Sequence, residues 1–368
     1  MSEIKKNPFT PSFGSIPLHL AGREIMLDEI LRGINNGPGD PYRSTIFVGA
    51  RGSGKTVLLA RIAEEAASNG WISLNVNADN EMLDEILVQI RDKAVELLTP
   101  EILSRITSIS FAGFGLSREL TQNTKKSTWR SEMTTILKEL NNKGVGLLIT
   151  VDEVSVSIDA LKTLIVNFQH FVRERMDVAL IMAGLPHKVS SLLRDDSISF
   201  LRRAFQHHLE PIDESEVRYS LKKTIELAGR EIETTALEIA SLNTKGFPFF
   251  IQLIGYQMWR QNPENVCITY NDAIEGIKLA QIELDRMIYE TTIRELSDRD
   301  VDFLVAMLDD DDYSNMSDIA NRMKVTSKYA GVYRQRLITH GIIGSIGIGK
   351  VAFELPFFRE FLESKYHS

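Results

Sequence analysis

The sequence predicts an α/β fold on a parallel sheet, followed by a helical segment and a small helix–hairpin segment. Three observations predict it. Short β-branched runs alternate with helical patterns from Thr45 to Leu209. From Asp213 to about Glu295 the apolar spacing is helical almost throughout. From Ser297 onward three short helical patterns give way to glycine-spaced β residues. Strand and helix in alternation imply crossover units, whose strands run parallel. The expected divisions are 1–210, 211–295 and 296–368, and 368 residues leave room for several cores.

Each element has its own signal. Asn7 to Ser15, rich in Pro, Phe and Ser, predicts an extended arm on a domain surface. Glu24 to Ile34 has helical apolar spacing (Ile25, Leu27, Ile30, Leu31, Ile34), and the run Asn35-Asn36-Gly37-Pro38-Gly39-Asp40 stops it. Thr45 to Val48 is a buried strand, and Val57 to Ala67 a helix. Trp71 to Val76 is a strand and Glu81 to Leu98 an amphipathic helix. Ile106 to Leu120, with two glycines, suggests a hairpin between helices. Ser127 to Leu140 is helical, Val145 to Val151 a strand, Leu161 to Arg175 a helix. Val178 to Met182 and Phe205 to Leu209 complete the strands. Asp213 followed by Glu216 suits a helix N-cap with a reciprocal acid.

Composition narrows the class. The net charge is −8, but it is uneven. From Tyr313 to the end, eight basic side chains face four acidic ones, a local +4, so the remainder carries −12. Cys267 is the single cysteine, which excludes an internal disulfide and points to a reducing compartment, the cytoplasm. It reads as a small buried hydrophobe. No apolar run follows the first lysines, so no leader is expected, and the strongest apolar stretch is too short to cross a bilayer. The acidic run Asp309 to Asp312 reads as a solvated loop rather than a metal site.

Gly49-Ala50-Arg51-Gly52-Ser53-Gly54-Lys55-Thr56 matches G-x-x-x-x-G-K-[ST] at every fixed position, between a buried strand and a helix. This is the context a phosphate-binding loop needs. Glycines let successive backbone N–H groups point inward, and the helix N-terminus adds its positive end. Lys55 is placed to reach the β- and γ-phosphates and Thr56 to offer its hydroxyl to Mg²⁺. Arg51, Gly52, Ser53 and Val57 complete the nucleotide-binding segment. The run Gly146 to Glu153 then supplies a strand ending in two acids. Asp152 suits Mg²⁺ through its water shell, and Glu153 suits polarisation of an attacking water. ATP and Mg²⁺ are therefore the expected ligands.

These residues resemble the AAA+ ATPases and their relatives. Within that group the likeness is to origin-recognition replication initiators and to archaeal-type and STAND ATPases, over almost the whole chain. Leu20-Ala21-Gly22-Arg23-Glu24 looks like the box that packs near adenine, which implies nucleotide contacts from Ala21 and Arg23. Gly246-Phe247-Pro248 looks like the GxP element of the STAND helical lid. Phe249 and Phe250 follow where the initiator clade commonly carries a sensor arginine. The strand ending at Met182 continues as Ala183-Gly184, where a polar γ-phosphate sensor is usual, with His187 as the available substitute. Arg202 and Arg203 stand about where the resemblance implies an arginine finger, with Arg194 the weaker candidate. Such a finger implies nucleotide-dependent homo-oligomers.

The last segment resembles a winged helix. Asp298 to Leu308, Met316 to Met323 and Ser327 to Thr339 read as three helices, with Val332, Leu337 and Ile338 available for a core. Ile342 to Phe353, broken by Gly344, Gly347 and Gly349, reads as a hairpin. The resemblance implies double-stranded DNA as a partner, met by Ser327, Lys328, Arg334 and Arg336 on the third helix and Lys350 on the wing. The leading expectation is an ATP-controlled, initiator-like DNA-binding ATPase with slow turnover. The alternative is a STAND-like signalling or defence ATPase whose winged helix binds protein. A metabolic kinase fits poorly, because no small-molecule acceptor site is visible.

Overall fold

The computed structural model describes residues 5–12, 14–104, 106 and 129–366. The expected hairpin at Ile106 to Leu120 lies, apart from Ile106, outside the described residues. The chain divides into two compact units, one of Met1–Glu24, Gly49–Gly54 and Leu209–Ser368, the other of Ile25–Val48 and Lys55–His208.

The second unit holds the parallel sheet. Its strands are β1 (Ser44–Val48), β2 (Ile72–Asn77), β3 (Leu147–Asp152), β4 (Val178–Gly184) and β5 (Phe205–His208), in the order β2-β3-β4-β1-β5. All pairings are parallel and in continuous register, such as Leu147 with Val178 and Ile46 with Met182. Central strands are covered on both faces, so they read as unbroken apolar runs, and every residue of β4 is buried. The edge strand β5 instead carries Phe-Gln-His-His and is largely exposed. The helix Lys55–Ser68 buries Leu58, Leu59, Ile62, Ala63 and Ala66, a single stripe at helical spacing. That stripe, with Leu74, Ile149 and Leu180, belongs to the buried interior of the unit. The helix expected to reach Leu98 ends at Lys93, where Ala94 leaves helical geometry.

The first unit is mostly helical: Glu214–Leu227, Thr234–Asn243, Pro248–Gln261 and Tyr270–Leu284, with a two-residue parallel pairing of Glu231–Ile232 and Cys267–Ile268. Strands this short leave no periodicity to read. The arm, grouped in the sequence reading with the sheet, packs here. Phe9 is buried over Gly255, where any Cβ would overlap its ring. Asn7 donates to the Tyr256 carbonyl at 3.1 Å, and the Thr10 N–H donates to Gln252 at 3.1 Å. Asp213 stands at an N-cap but makes no capping hydrogen bond. The full capping boxes form instead at Thr269–Asp272 and Ser297–Asp300.

The end of the chain has three helices, Asp298–Met307, Met316–Arg322 and Ser327–Thr339, then a hairpin of Ile343–Gly347 and Lys350–Phe353. Ser314–Asn315 adds a third antiparallel strand. Leu337 and Ile338 are buried, but Val332 is exposed, because it lies on the opposite side of the third helix. A final helix, Phe358–Tyr366, was not expected; it buries Phe358, Phe361 and Leu362.

Candidate functional site

The glycine-rich loop joins β1 to the helix that Lys55 opens. Gly52 and Gly54 have φ of +77° and +87°, a region that side-chain-bearing residues adopt only at a cost. Ser53 is buried inside the curl, and a Cβ at Gly49 would stand 2.5 Å from its hydroxyl. The loop glycines also face Pro248 and Phe249. A Cβ on Gly54 would meet the Pro248 ring at 3.5 Å, and one on Gly52 would meet Phe249 at 3.7 Å. Gly246 itself has φ +76°, and a Cβ there would overlap the Ile212 backbone. Ile212 donates its N–H to the Gly246 carbonyl at 2.9 Å, so two backbones touch where no side chain fits. Ala21 is buried near this point. Arg23 donates to the Glu210 carbonyl at 2.5 Å, and burial pulls its guanidinium below the ordinary value against the opposing pull of Glu210.

In the other unit, Thr56 donates its hydroxyl to the Asp152 carboxylate at 2.5 Å. Thr56 lies in the first turn of the helix, and Asp152 is the last residue of β3. Asp152 also accepts the Glu153 backbone N–H at 2.8 Å. Glu153 is exposed and has φ +55°, an uncommon conformation for glutamate that turns the chain at the strand end. The sheet therefore presents two adjacent carboxylates, one engaged by a hydroxyl and the other in solvent. Lys55 and Val57 flank Thr56 and are half-buried, whereas Arg51 in the loop is exposed.

The end of β4 is apolar for a packing reason. A Cβ at Gly184 would stand 2.7 Å from Val154 and 3.0 Å from Val189, so no polar side chain fits there. His187 is half-buried in the first turn of the helix Pro186–Arg194. Arg202 is engaged within the unit: its Nε donates to the Leu193 carbonyl at 2.8 Å, and it pairs with Asp196 at 3.3 Å. Arg203 and Arg194 are exposed.

The basic residues of the last segment are also partly engaged. Arg336 pairs with buried Asp300 at 2.9 Å. Arg334 donates to Ser345 at 2.9 Å, and Lys350 stands over the Tyr313 ring at 4.2 Å. Ser327 and Lys328 are exposed at the start of the third helix. Ser345 and Tyr313 were missed in the sequence, which carries no sign of partners so distant. The acidic run is an arginine-bound turn, not a merely solvated one. Arg322 reaches Asp310 at 2.5 and 2.7 Å, and Arg359 donates to the carbonyls of Leu308, Asp310 and Asp311. Phe353 leads through Phe357 back toward the helix Pro248–Gln261: the Phe357 ring lies tilted 4.7 Å from Phe250 and edge-on 5.6 Å from Phe247. Among the described residues no helix is long and apolar enough to cross a membrane.

The model of a family described as a domain of unknown function, DUF8462, matches residues 286–362. No curated protein matches the sequence. Solved structures match over nearly the whole chain. The ORC2 protein of Aeropyrum pernix, solved as ADPNP–ADP complexes, is 14% identical and aligns over 97% of this chain and 98% of its own, with a TM-score of 0.61. The Walker-type ATPase PABY2304 of Pyrococcus abyssi is 17% identical over 94% and 96%, with a TM-score of 0.62. Cdc6p of Pyrobaculum aerophilum is 14% identical over 96% and 97%, with a TM-score of 0.51. The chain thus shares, over nearly its full length, the fold of the archaeal ORC/Cdc6 initiator AAA+ ATPases.

Proposed function

We propose that this chain is a slow ATP-hydrolysing switch that controls duplex DNA binding. The observation that carries the reading is the Thr56–Asp152 contact, which brings together the two oxygen donors expected of a Mg²⁺–nucleotide site. A hydroxyl and a carboxylate suit a hard cation such as Mg²⁺. When bound, the ion would neutralise charge on the β- and γ-phosphates, held by Thr56 and, through water, Asp152. Gly49, Gly52, Ser53 and Gly54 offer backbone N–H groups to the phosphates, Lys55 offers its ammonium, and Arg51 and Val57 complete the segment. Ala21 and Arg23 serve the adenine side. Glu153 accepts a proton from the water whose oxygen attacks the γ-phosphorus, while the bond to the ADP oxygen breaks.

Slow turnover follows from what β4 lacks: Gly184 has no space for a polar sensor, and phenylalanines follow Pro248. Arg203 is the better finger candidate, since Arg202 is already engaged at Leu193 and Asp196. DNA contact falls first to Ser327 and Lys328, with Arg334 and Lys350 beside the wing. A second reading, a STAND-like switch with a protein-binding winged helix, draws on the engaged state of Arg336, Arg334 and Lys350 and on Pro248 lying against Gly54.

One experiment separates the readings. Phosphate release is measured with and without mixed-sequence duplex at low salt, beside Glu153→Gln. Duplex binding that weakens steeply with salt and with Lys328→Ala supports the DNA switch. No duplex binding in any nucleotide state, with a nucleotide-dependent change in particle size, supports the second reading.

A further inference from the structure

The tip of the wing carries an unexplained apolar residue. Ile348 is fully exposed (105%), and Ile346 two positions earlier is 56% exposed. Ile348 and Gly349 form the two-residue connection between the strands Ile343–Gly347 and Lys350–Phe353, and Gly349 has φ +69°. Gly349 supplies the positive φ that the turn needs, so Ile348 occupies the ordinary turn position beside it, where its alkyl side chain gains no burial. Ile348 buries no area within the chain, and its neighbours Gly347 and Gly349 have no side chains to shelter it. The fold therefore gives no reason for isoleucine at this position.

The surroundings are basic and braced. Lys350 follows the tip and lies over Tyr313, and the Arg334–Ser345 hydrogen bond ties the wing to the third helix, whose N-terminal turn exposes Lys328. An apolar point on a braced, cationic hairpin has the chemistry of a wedge for duplex DNA. Cations hold the phosphates, and the alkyl group enters a base step and unstacks it.

We propose that Ile348 is such a wedge, inserted between base pairs of a duplex so that binding distorts the DNA. This rests on the DNA-binding reading and adds that binding is coupled to unstacking. The test uses the full chain with a duplex carrying 2-aminopurine at single steps and a fluorophore pair at its ends, at saturating protein. The expected result is a rise in 2-aminopurine emission and a shortened end-to-end distance with the native protein. Ile348→Ser should cut both signals at least about five-fold while weakening affinity less than about ten-fold. Lys328→Ala should weaken affinity yet keep both signals at saturation. Unchanged distortion with Ile348→Ser, or tight binding without distortion by the native protein, overturns the wedge and leaves DNA binding standing. Absence of duplex binding overturns both. Conversion of an oligomer to a monomer by Ile348→Ser without DNA, read by light scattering, overturns the wedge and assigns the tip to a second copy.

Discussion

The hydroxyl of Thr56 and the carboxylate of Asp152 meet at 2.5 Å across 96 positions of sequence. The first turn of the helix and the end of the strand set the two oxygens side by side. Their neighbours Lys55 and Glu153 are therefore the residues where binding and chemistry should separate.

Lys55→Ala should weaken ATP binding about 10–100-fold, the worth of one charge-assisted phosphate contact. Titration of a fluorescent ATP analogue checks it. Unchanged affinity would place the phosphates elsewhere.

Glu153→Gln should keep ATP affinity within a few-fold and slow phosphate release about 10²–10⁴-fold, the usual contribution of a general base. Parallel loss of affinity would instead mean that the carboxylate organises the site.

Arg203→Ala should slow phosphate release about 10²–10³-fold, and only at protein concentrations where the native chain associates. Arg202→Ala should act mainly on stability, because its bonds run to Leu193 and Asp196. A purely first-order effect of Arg203→Ala would remove it as a finger.

Two glycines should respond in opposite directions. Gly246→Ala combines a φ of +76° with overlap against Ile212 and should cost more than about 2 kcal/mol. Gly331 lies inside the helix Ser327–Thr339 with open space where its Cβ would be, so Gly331→Ala should add about 0.5–1 kcal/mol. Thermal unfolding of the two variants tests the pair together.

The Arg322 guanidinium, hydrogen-bonded to Asp310, holds that carboxyl below the ordinary value of 3.8, against a smaller opposing effect of burial. A carboxylate whose folded value is depressed stabilises the fold above its unfolded value. That contribution falls as pH drops from about 4 through the lower folded value. Asp310→Asn should flatten this part of the stability–pH curve and leave neutral pH less stable than the native chain. An unchanged acid limb would show that the pair contributes nothing there.

The candidate site was legible in the sequence where it depends on adjacent residues. Gly49 to Thr56 is read from fixed spacing, and Asp152 from the end of an unbroken apolar run. The apolar end of the strand at Ala183-Gly184 was also legible, and the structure adds the packing reason in Val154 and Val189. What stayed hidden depends on distant pairing. Nothing in Arg336 signals Asp300, and nothing in Arg334 signals Ser345, so the winged-helix resemblance assigned both to DNA. Val332 has the residue type of a core position, but the third helix turns it outward. The strands at Glu231 and Cys267 are too short to show a period, and the left-handed backbone of Glu153 has no signature in composition.

The seat of the N-terminal arm sets a schedule for synthesis. Asn7 leaves the ribosome long before its partner Tyr256, which comes 249 positions later. At about 5–20 residues per second that gap lasts about 12–50 seconds. Throughout it the apolar ring of Phe9 has no Gly255 to cover. The parallel sheet can form in this interval, while the unit that includes the arm must wait for the rest of the chain. The nascent chain thus carries the Phe9 ring uncovered until the residues around Gly255 have been made.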